Sequence, residues 1–222
     1  MRQAPSDFDL DPVVKVADLG AAFFEDQPPA AVVTPVALRA PETILRDGLR
    51  LGMGIDIWAF GCLAFELLTG RALFVRLEAL EGCEEFDEET NDEHLVQFSE
   101  VLGPLPEELA SRWRRRDRYY GPDGKRLDVA TGGGHGSEGS GTDDDSDSET
   151  SQRSSFSLAD PGTFASLEEQ VREHKPEGMG EEEVEEVSQL LRWILEYDAS
   201  KRPSADAILR HPWFSSERVH GH

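Results

Sequence analysis

The stretch Gly54–Gly70, "GIDIWAFGCLAFELLTG", constrains this chain more than any other. From Ile55 to Leu68 apolar residues fall on every face of a 3.6-residue spiral, interrupted by Asp56 and Glu66, and Gly70 supplies a stop. The pattern predicts a helix buried all round, which belongs at the centre of a domain. It is too short and too charged to cross a bilayer. A chain of 222 residues can bury enough apolar surface for one domain, with or without a long insertion.

Other elements are arranged around that helix in the sequence. "VVKVADLGAAFF", Val13 to Phe24, alternates like a strand and breaks at Asp18-Leu19-Gly20. "DEHLVQFSEVLG" predicts an amphipathic helix with Leu95, Phe98, Val101 and Leu102 on one face, and "PEELASRWRRRDRYY" a shorter, more polar one. From Ala130 to about Ser157 the chain is Gly, Ser, Asp and Glu with hardly an apolar residue, the composition of a disordered acidic insertion. Order is expected to resume at "TFASLEEQVREH". "EEEVEEVSQLLRWILEYD" then sets Val184, Val187, Leu190, Leu191, Ile194 and Leu195 on one stripe. A last short helix follows in "RPSADAILRHPWF", with Ser204 as N-cap and Pro212 as stop. The expected fold class is mainly α, a helical bundle with a short β element at its N-terminus.

Charge narrows the classes of partner. With 22 basic and 45 acidic side chains the formal charge is −23, which repels nucleic acid phosphates and attracts basic partners. The cluster Arg112, Trp113, Arg114, Arg115, Arg116, Arg118, Tyr119, Tyr120 has the residues for stacking and phosphate contact. On so acidic a chain it reads better as a charged helix end answering neighbouring acidic blocks. Cys62 and Cys83 have no CxxC spacing, the histidines show no ligand spacing, and the first residues lack an apolar signal segment. The expectation is an intracellular protein, cytoplasmic or nuclear, without membrane or nucleic acid partners.

Asp-Leu-Gly after a strand is by itself either a plain turn or a carboxylate ligand for Mg²⁺ on nucleotide phosphates, with Gly20 letting the backbone reverse. Its company favours the second. Ala40-Pro41-Glu42 begins 22 residues after Asp18, Asp56-Ile57-Trp58 through Gly61-Cys62 begins 14 residues after Glu42, and "KRPSADAILRHPWF" closes the chain. In that order these landmarks resemble the C-terminal lobe of a eukaryotic serine/threonine protein kinase. The leucine of Asp18-Leu19-Gly20, "FELLTGRALF", "NDEHL", "EVLGPLP" and "LRHPWF" look most like the SR-protein kinase branch. The resemblance implies a kinase lobe in two parts, 1–129 and 161–216, split by the insertion 130–160 and followed by a tail, 217–222.

It further implies Asp18 as the Mg²⁺ ligand, with ATP and Mg²⁺ as cofactors of the complete enzyme. Glu42 and Arg202 would form a buried ion pair, and Asp56 would anchor the central helix to backbone amides of the catalytic loop. Glu93 and Glu100 match acids that hold basic, Arg-Ser-rich substrates, whereas Arg71 stands where that branch has an acid. Thr34 is the one hydroxyl between Gly20 and Ala40, and Leu38 replaces a common tyrosine.

No Gly-rich phosphate loop, no Val-Ala-Ile-Lys and no His-Arg-Asp occurs in the sequence, so no catalytic residue is assigned. The expectation is a protein kinase lobe, inactive when taken alone, whose complete enzyme phosphorylates Ser or Thr in basic proteins. The alternative is a non-catalytic module that docks basic peptides in an acidic groove.

Overall fold

A computed structural model describes residues 15–29, 32–46, 49–75, 84–127 and 164–214. The chain divides into two compact units, Met1–Val33 and Thr34–His222, each taken by itself below.

In the first unit the predicted strand is absent among the described residues. Residues 15–18 have no regular structure, and a 3-10 turn covers Leu19–Ala21. A strand needs an edge to pair with and a face to bury. Val16, Leu19 and Phe24 are all exposed here, and no ladder reaches them. Asp18 itself, not Gly20, takes the left-handed backbone conformation (φ 59°, ψ 60°), which short polar residues tolerate. Gly20 lies inside the 3-10 turn, so the reversal expected of the glycine falls two residues earlier.

The second unit is helical. Pro41–Ile44 (α1) opens with proline at its first position, where the missing N–H costs nothing. Gly54–Thr69 (α2) ends at Gly70, which is left-handed (φ 71°) and donates its N–H to the Glu66 carbonyl. Glu84–Val101 (α3) buries Leu95, Val96, Phe98 and Val101. Glu107–Ala110 (α4) is only one turn long. The polar helix expected beyond it becomes turns and a 3-10 segment, Arg116–Arg118, because its apolar residues, Leu109, Trp113 and Tyr119, must all turn inward from a non-helical spacing.

Leu167–His174 (α5) starts with a capping box: Ser166 accepts from the Glu169 N–H, and Glu169 accepts from the Ser166 N–H at 2.9 Å. Glu181–Ile194 (α6) buries the predicted stripe, Leu195 included. In Ala205–Leu209 (α7) the Ser204 hydroxyl accepts from the Ala207 N–H at 3.2 Å, and a 3-10 turn follows at Pro212–Phe214. The acidic insertion 130–160 and the tail 217–222 lie outside the described residues, as do Val13 and Cys83.

Helix α2 packs against α5, α6 and the 3-10 turn Val36–Leu38. Trp58 meets Phe74 (6.0 Å, stacked) and Phe98 (5.1 Å, edge-on), joining α2 to α3 through one aromatic cluster. The helix is not buried all round. Ile55, Trp58, Gly61, Cys62 and Phe65 are covered, while Asp56, Phe60, Leu63 and Leu67 are exposed on another face. A helix that is apolar on every side can be covered on only as many sides as it has neighbours, and the described residues cover one.

Candidate functional site

The segment Ala40-Pro41-Glu42 enters α1 with all three residues buried. Glu42 could not be ionised there without donors, because an isolated buried carboxylate is far too costly. Arg202, in the loop before α7, supplies them: its Nη1 donates to Oε1 at 2.6 Å and its Nη2 to Oε2 at 2.9 Å. This two-pronged geometry is what a planar guanidinium offers and a lysine does not. The remaining donors also find acceptors, Nε the Glu196 carbonyl at 2.7 Å and Nη1 the Gly54 carbonyl at 2.8 Å. The guanidinium lies 5.0 Å from the Trp58 ring. Gly54 is needed for this approach, since a Cβ there would stand 3.1 Å from Ala199 Cβ and 3.3 Å from Arg202 Nη1.

Ahead of α1, Arg39 fastens the loop Thr34–Leu38 to the helical body. Its Nε donates to the Thr34 carbonyl at 3.0 Å and its Nη1 to Asn91 Oδ1 of α3 at 3.3 Å. The loop and α3 therefore share one support. Arg39 was not singled out from the sequence, because a partner 52 positions away leaves no local pattern.

Glu93 and Glu100 sit on α3, seven residues apart and so near one face, but in different states. Glu93 is half-buried, and its Oε2 is buried without a hydrogen-bond partner among the described residues. Burial, then the charges of Glu89 and Asp92, push its pKa up to about 7. Glu100 is already engaged: it accepts from the Phe164 N–H at 3.2 Å and lies 3.8 Å from Arg126 Nε. Arg71 is exposed beside the end of α2.

Next to Glu93, Asp92 forms a centre that sequence reasoning missed. Its carboxylate accepts from Trp113 Nε1 at 2.6 Å and Tyr119 Oη at 3.2 Å, and pairs with Arg115 at 2.8 Å. Burial still raises its pKa against these three. The basic aromatic cluster is thus partly a structural plug: Trp113 and Tyr119 are buried, and an exposed stacking surface for RNA would require the opposite.

Asp56 is exposed and its carboxylate makes no hydrogen bond among the described residues, so it anchors nothing among them. Water solvates it, and the desolvation cost expected for a buried acid does not arise. Cys62 is buried and its thiol is pushed up to about 12, chiefly by that burial, so it is inert.

In the first unit Asp18 is an exposed carboxylate. A Cβ at Gly20 would meet Asp18 Oδ1 at 3.6 Å, ordinary contact, so the glycine is not there for clearance. Among the described residues no group of three or more His, Cys, Asp or Glu side chains could hold a metal ion. Mg²⁺ on a nucleotide takes one or two protein carboxylates, with phosphate oxygens and water completing its octahedron. A single exposed carboxylate fits that lesser role.

The protein kinase domain family is matched over residues 7–214. Serine/threonine-protein kinase AFC2 of Arabidopsis thaliana is 30% identical over 205 residues, 92% of this chain and 39% of that protein. Serine/threonine-protein kinase SKY1 of Saccharomyces cerevisiae is 28% identical over 90% of this chain and 22% of its own length. Dual specificity protein kinase CLK1 of Homo sapiens is 28% identical over 92% of this chain and 33% of its own length. A solved crystal structure of a kinase domain superposes with a TM-score of 0.57 at 22% identity, over 90% of this chain and 47% of that one. The chain spans about a fifth to two fifths of the length of these curated relatives.

Proposed function

The chain belongs to the protein kinase domain family, and from that premise we propose that it is the C-terminal, helical portion of a kinase that transfers phosphate from ATP to Ser or Thr of basic proteins. The observation that carries the reading is the buried Glu42–Arg202 clasp, which fixes the Ala40-Pro41-Glu42 segment to α2 and to the loop before α7. A clasp at that place holds the loop Thr34–Leu38 rigid where a peptide acceptor would be positioned. Catalysis of phosphoryl transfer is chiefly positioning and charge stabilisation, so a rigid loop is a functional part.

Asp18 would hold Mg²⁺, which would supply positive charge to offset that of the nucleotide phosphates. What this chain contributes otherwise is acceptor binding. Glu93 is the acid best suited to receive a substrate arginine: its Oε2 has no donor among the described residues, and burial beside Glu89 and Asp92 raises its pKa, so a cation there would be welcome. Glu100 is the poorer candidate, because Arg126 already answers it. Basic or Arg-Ser-rich substrates follow from that acid and from the −23 charge of the chain.

The test is a kinase assay on the protein isolated from its own cells through an antibody to its C-terminal segment. Mg²⁺, labelled ATP and an Arg-Ser peptide should give incorporation that Asp18→Asn abolishes and Glu93→Gln weakens through KM. Incorporation equal in wild type and Asp18→Asn would sink the reading. The 222 residues purified alone are expected to give none, since the sequence holds no phosphate loop, no paired lysine and no catalytic-loop aspartate.

A further inference from the structure

Two clefts of about 360 and 400 Å³ share a wall of Trp113, Arg116 and Tyr120. The wall is stiff. Trp113 stacks on Tyr119 at 5.5 Å and meets Tyr120 edge-on at 5.8 Å, and its indole N–H is held by Asp92. A backbone bridge joins Tyr120 to Arg126. On that wall Arg116 lies 5.5 Å and Arg126 5.9 Å from the centre of the Tyr120 ring, two guanidiniums drawn to one aromatic. The first cleft adds Glu100 and the second adds Arg114 and Asp117, leaving three positive charges against two negative.

A net positive wall is a local reversal in a molecule of charge −23. Arg116 has no carboxylate partner among the described residues; the Tyr120 ring is its one close contact of note. A planar cation backed by a ring and open to a cleft is built to receive a carboxylate.

The course of the chain supplies the occupant. Leu127 lines the second cleft, and the Phe164 N–H donates at 3.2 Å to Glu100, which lines the first. In the sequence 36 residues lie between Leu127 and Phe164. Midway along them runs Asp143, Asp144, Asp145, Ser146, Asp147, Ser148, Glu149. Fifteen residues separate Leu127 from Asp143, and fourteen separate Glu149 from Phe164. Each arm can reach about 50 Å when extended, far more than the clefts require.

We propose that the Arg116–Tyr120 wall is the docking surface of the chain's own acidic run Asp143–Glu149. Charge complementarity selects the acids, and attachment at both ends holds them at an effective concentration on the order of millimolar. This inference does not depend on the kinase reading.

The test uses the full chain in two forms, wild type and a variant with Asp143, Asp144, Asp145 and Asp147→Asn and Glu149→Gln. A fluorescent synthetic peptide of residues 141–151 is titrated into each at low salt, and anisotropy is followed. The neutralised chain should bind the peptide about tenfold more tightly than wild type, whose own run competes at millimolar effective concentration. Adding Arg116→Gln to the neutralised chain should weaken binding about tenfold, with Arg116→Lys in between. Should Arg116→Gln lose its circular dichroism, Arg114→Gln takes its place. Equal binding to both chains would mean that the wall serves an acidic partner in trans, and would overturn the proposal. No binding to the neutralised chain, or binding indifferent to both arginine variants, would overturn it too.

Discussion

On one side of α2, Trp58, Cys62 and Phe65 are sealed beneath neighbouring elements, and Arg202 lies on Trp58 holding Glu42. On the other side Asp56, Phe60, Leu63 and Leu67 meet water. Both faces are apolar, and the kinase resemblance gave Glu42, beside the first face, and Asp56, on the second, an anchoring role alike, so composition does not separate them. The difference is cover: Glu42 has a guanidinium and is buried, whereas Asp56 is exposed and its carboxylate has no partner among the described residues. An acid's role depends on its neighbours, and the covered face is where substitutions should be felt.

The largest effect is expected at Arg202. Replacing it with alanine leaves the Glu42 carboxylate buried without a counter-charge and strips donors from the Gly54 and Glu196 carbonyls. A loss of about 3–5 kcal/mol is expected, read as a fall in midpoint in urea. The double variant Glu42→Gln with Arg202→Met should recover part of that loss, because it removes the charge as well as its partner. If Arg202→Ala melts like wild type, the covered face is not closed as described.

Next comes pH. His94, on the covered side between Phe74 and Phe98, has no hydrogen-bond partner on either ring nitrogen among the described residues. Burial, then the charge of Arg39, lowers its pKa from 6.5 to about 4. The unfolded chain therefore binds a proton below pH 6.5 that the folded chain refuses until about pH 4. Stability falls across that window by up to roughly 3 kcal/mol. His94→Phe should flatten the slope between pH 6.5 and 4; an unchanged slope would show that the imidazole is not sealed.

Glu93, one residue earlier, has the opposite sign. Its raised pKa favours the folded state below pH 4.5, an advantage lost as pH rises through about 7. Glu93→Gln should accordingly match wild type in melting temperature at pH 4.5 and exceed it at pH 8. The gain would be the mark of an acid retained for binding at some cost in stability.

A smaller loss is expected at Gly61, where α2 approaches the end of α6. A Cβ there would stand 2.7 Å from Ile194 Cγ2 and 2.8 Å from Leu195 Cδ2, closer than carbon atoms pack. Gly61→Ala forces those tips to move within a filled core, at a cost of about 1–3 kcal/mol. The same change at Gly70, where nothing lies within 4 Å, acts through its left-handed backbone alone and makes a useful control.

What could be read in the sequence was local. The stripe from Val184 to Leu195 repeats within one helix, and the Ser204 cap lies three residues from the N–H it accepts, so spacing alone finds both. The Glu42–Arg202 pair spans 160 positions and was expected only because the order of motifs resembled a kinase lobe. Asp92 with Trp113 and Tyr119, and Arg39 with Asn91, also pair at a distance but belong to no motif, and they went unseen. The strand expected from Val13 to Phe24 is absent over its described residues, 15–24, for a related reason. Alternation says which faces a strand would have, and a partner elsewhere decides whether it forms.

The smallest expected effect is at Asp56, and it tests the open face directly. Asp56 stands in the first turn of α2, where its charge answers the positive end of the helix dipole. Asn keeps the side chain's shape and acceptor but loses that charge, so Asp56→Asn should cost only a few tenths of a kcal/mol in the isolated chain. Half-molar salt should shrink the difference further, because exposed charges are screened. A drop of several degrees, insensitive to salt, would mean that something covers Asp56 and donates to it, and the contrast between the two sides of α2 would fail at its sharpest point.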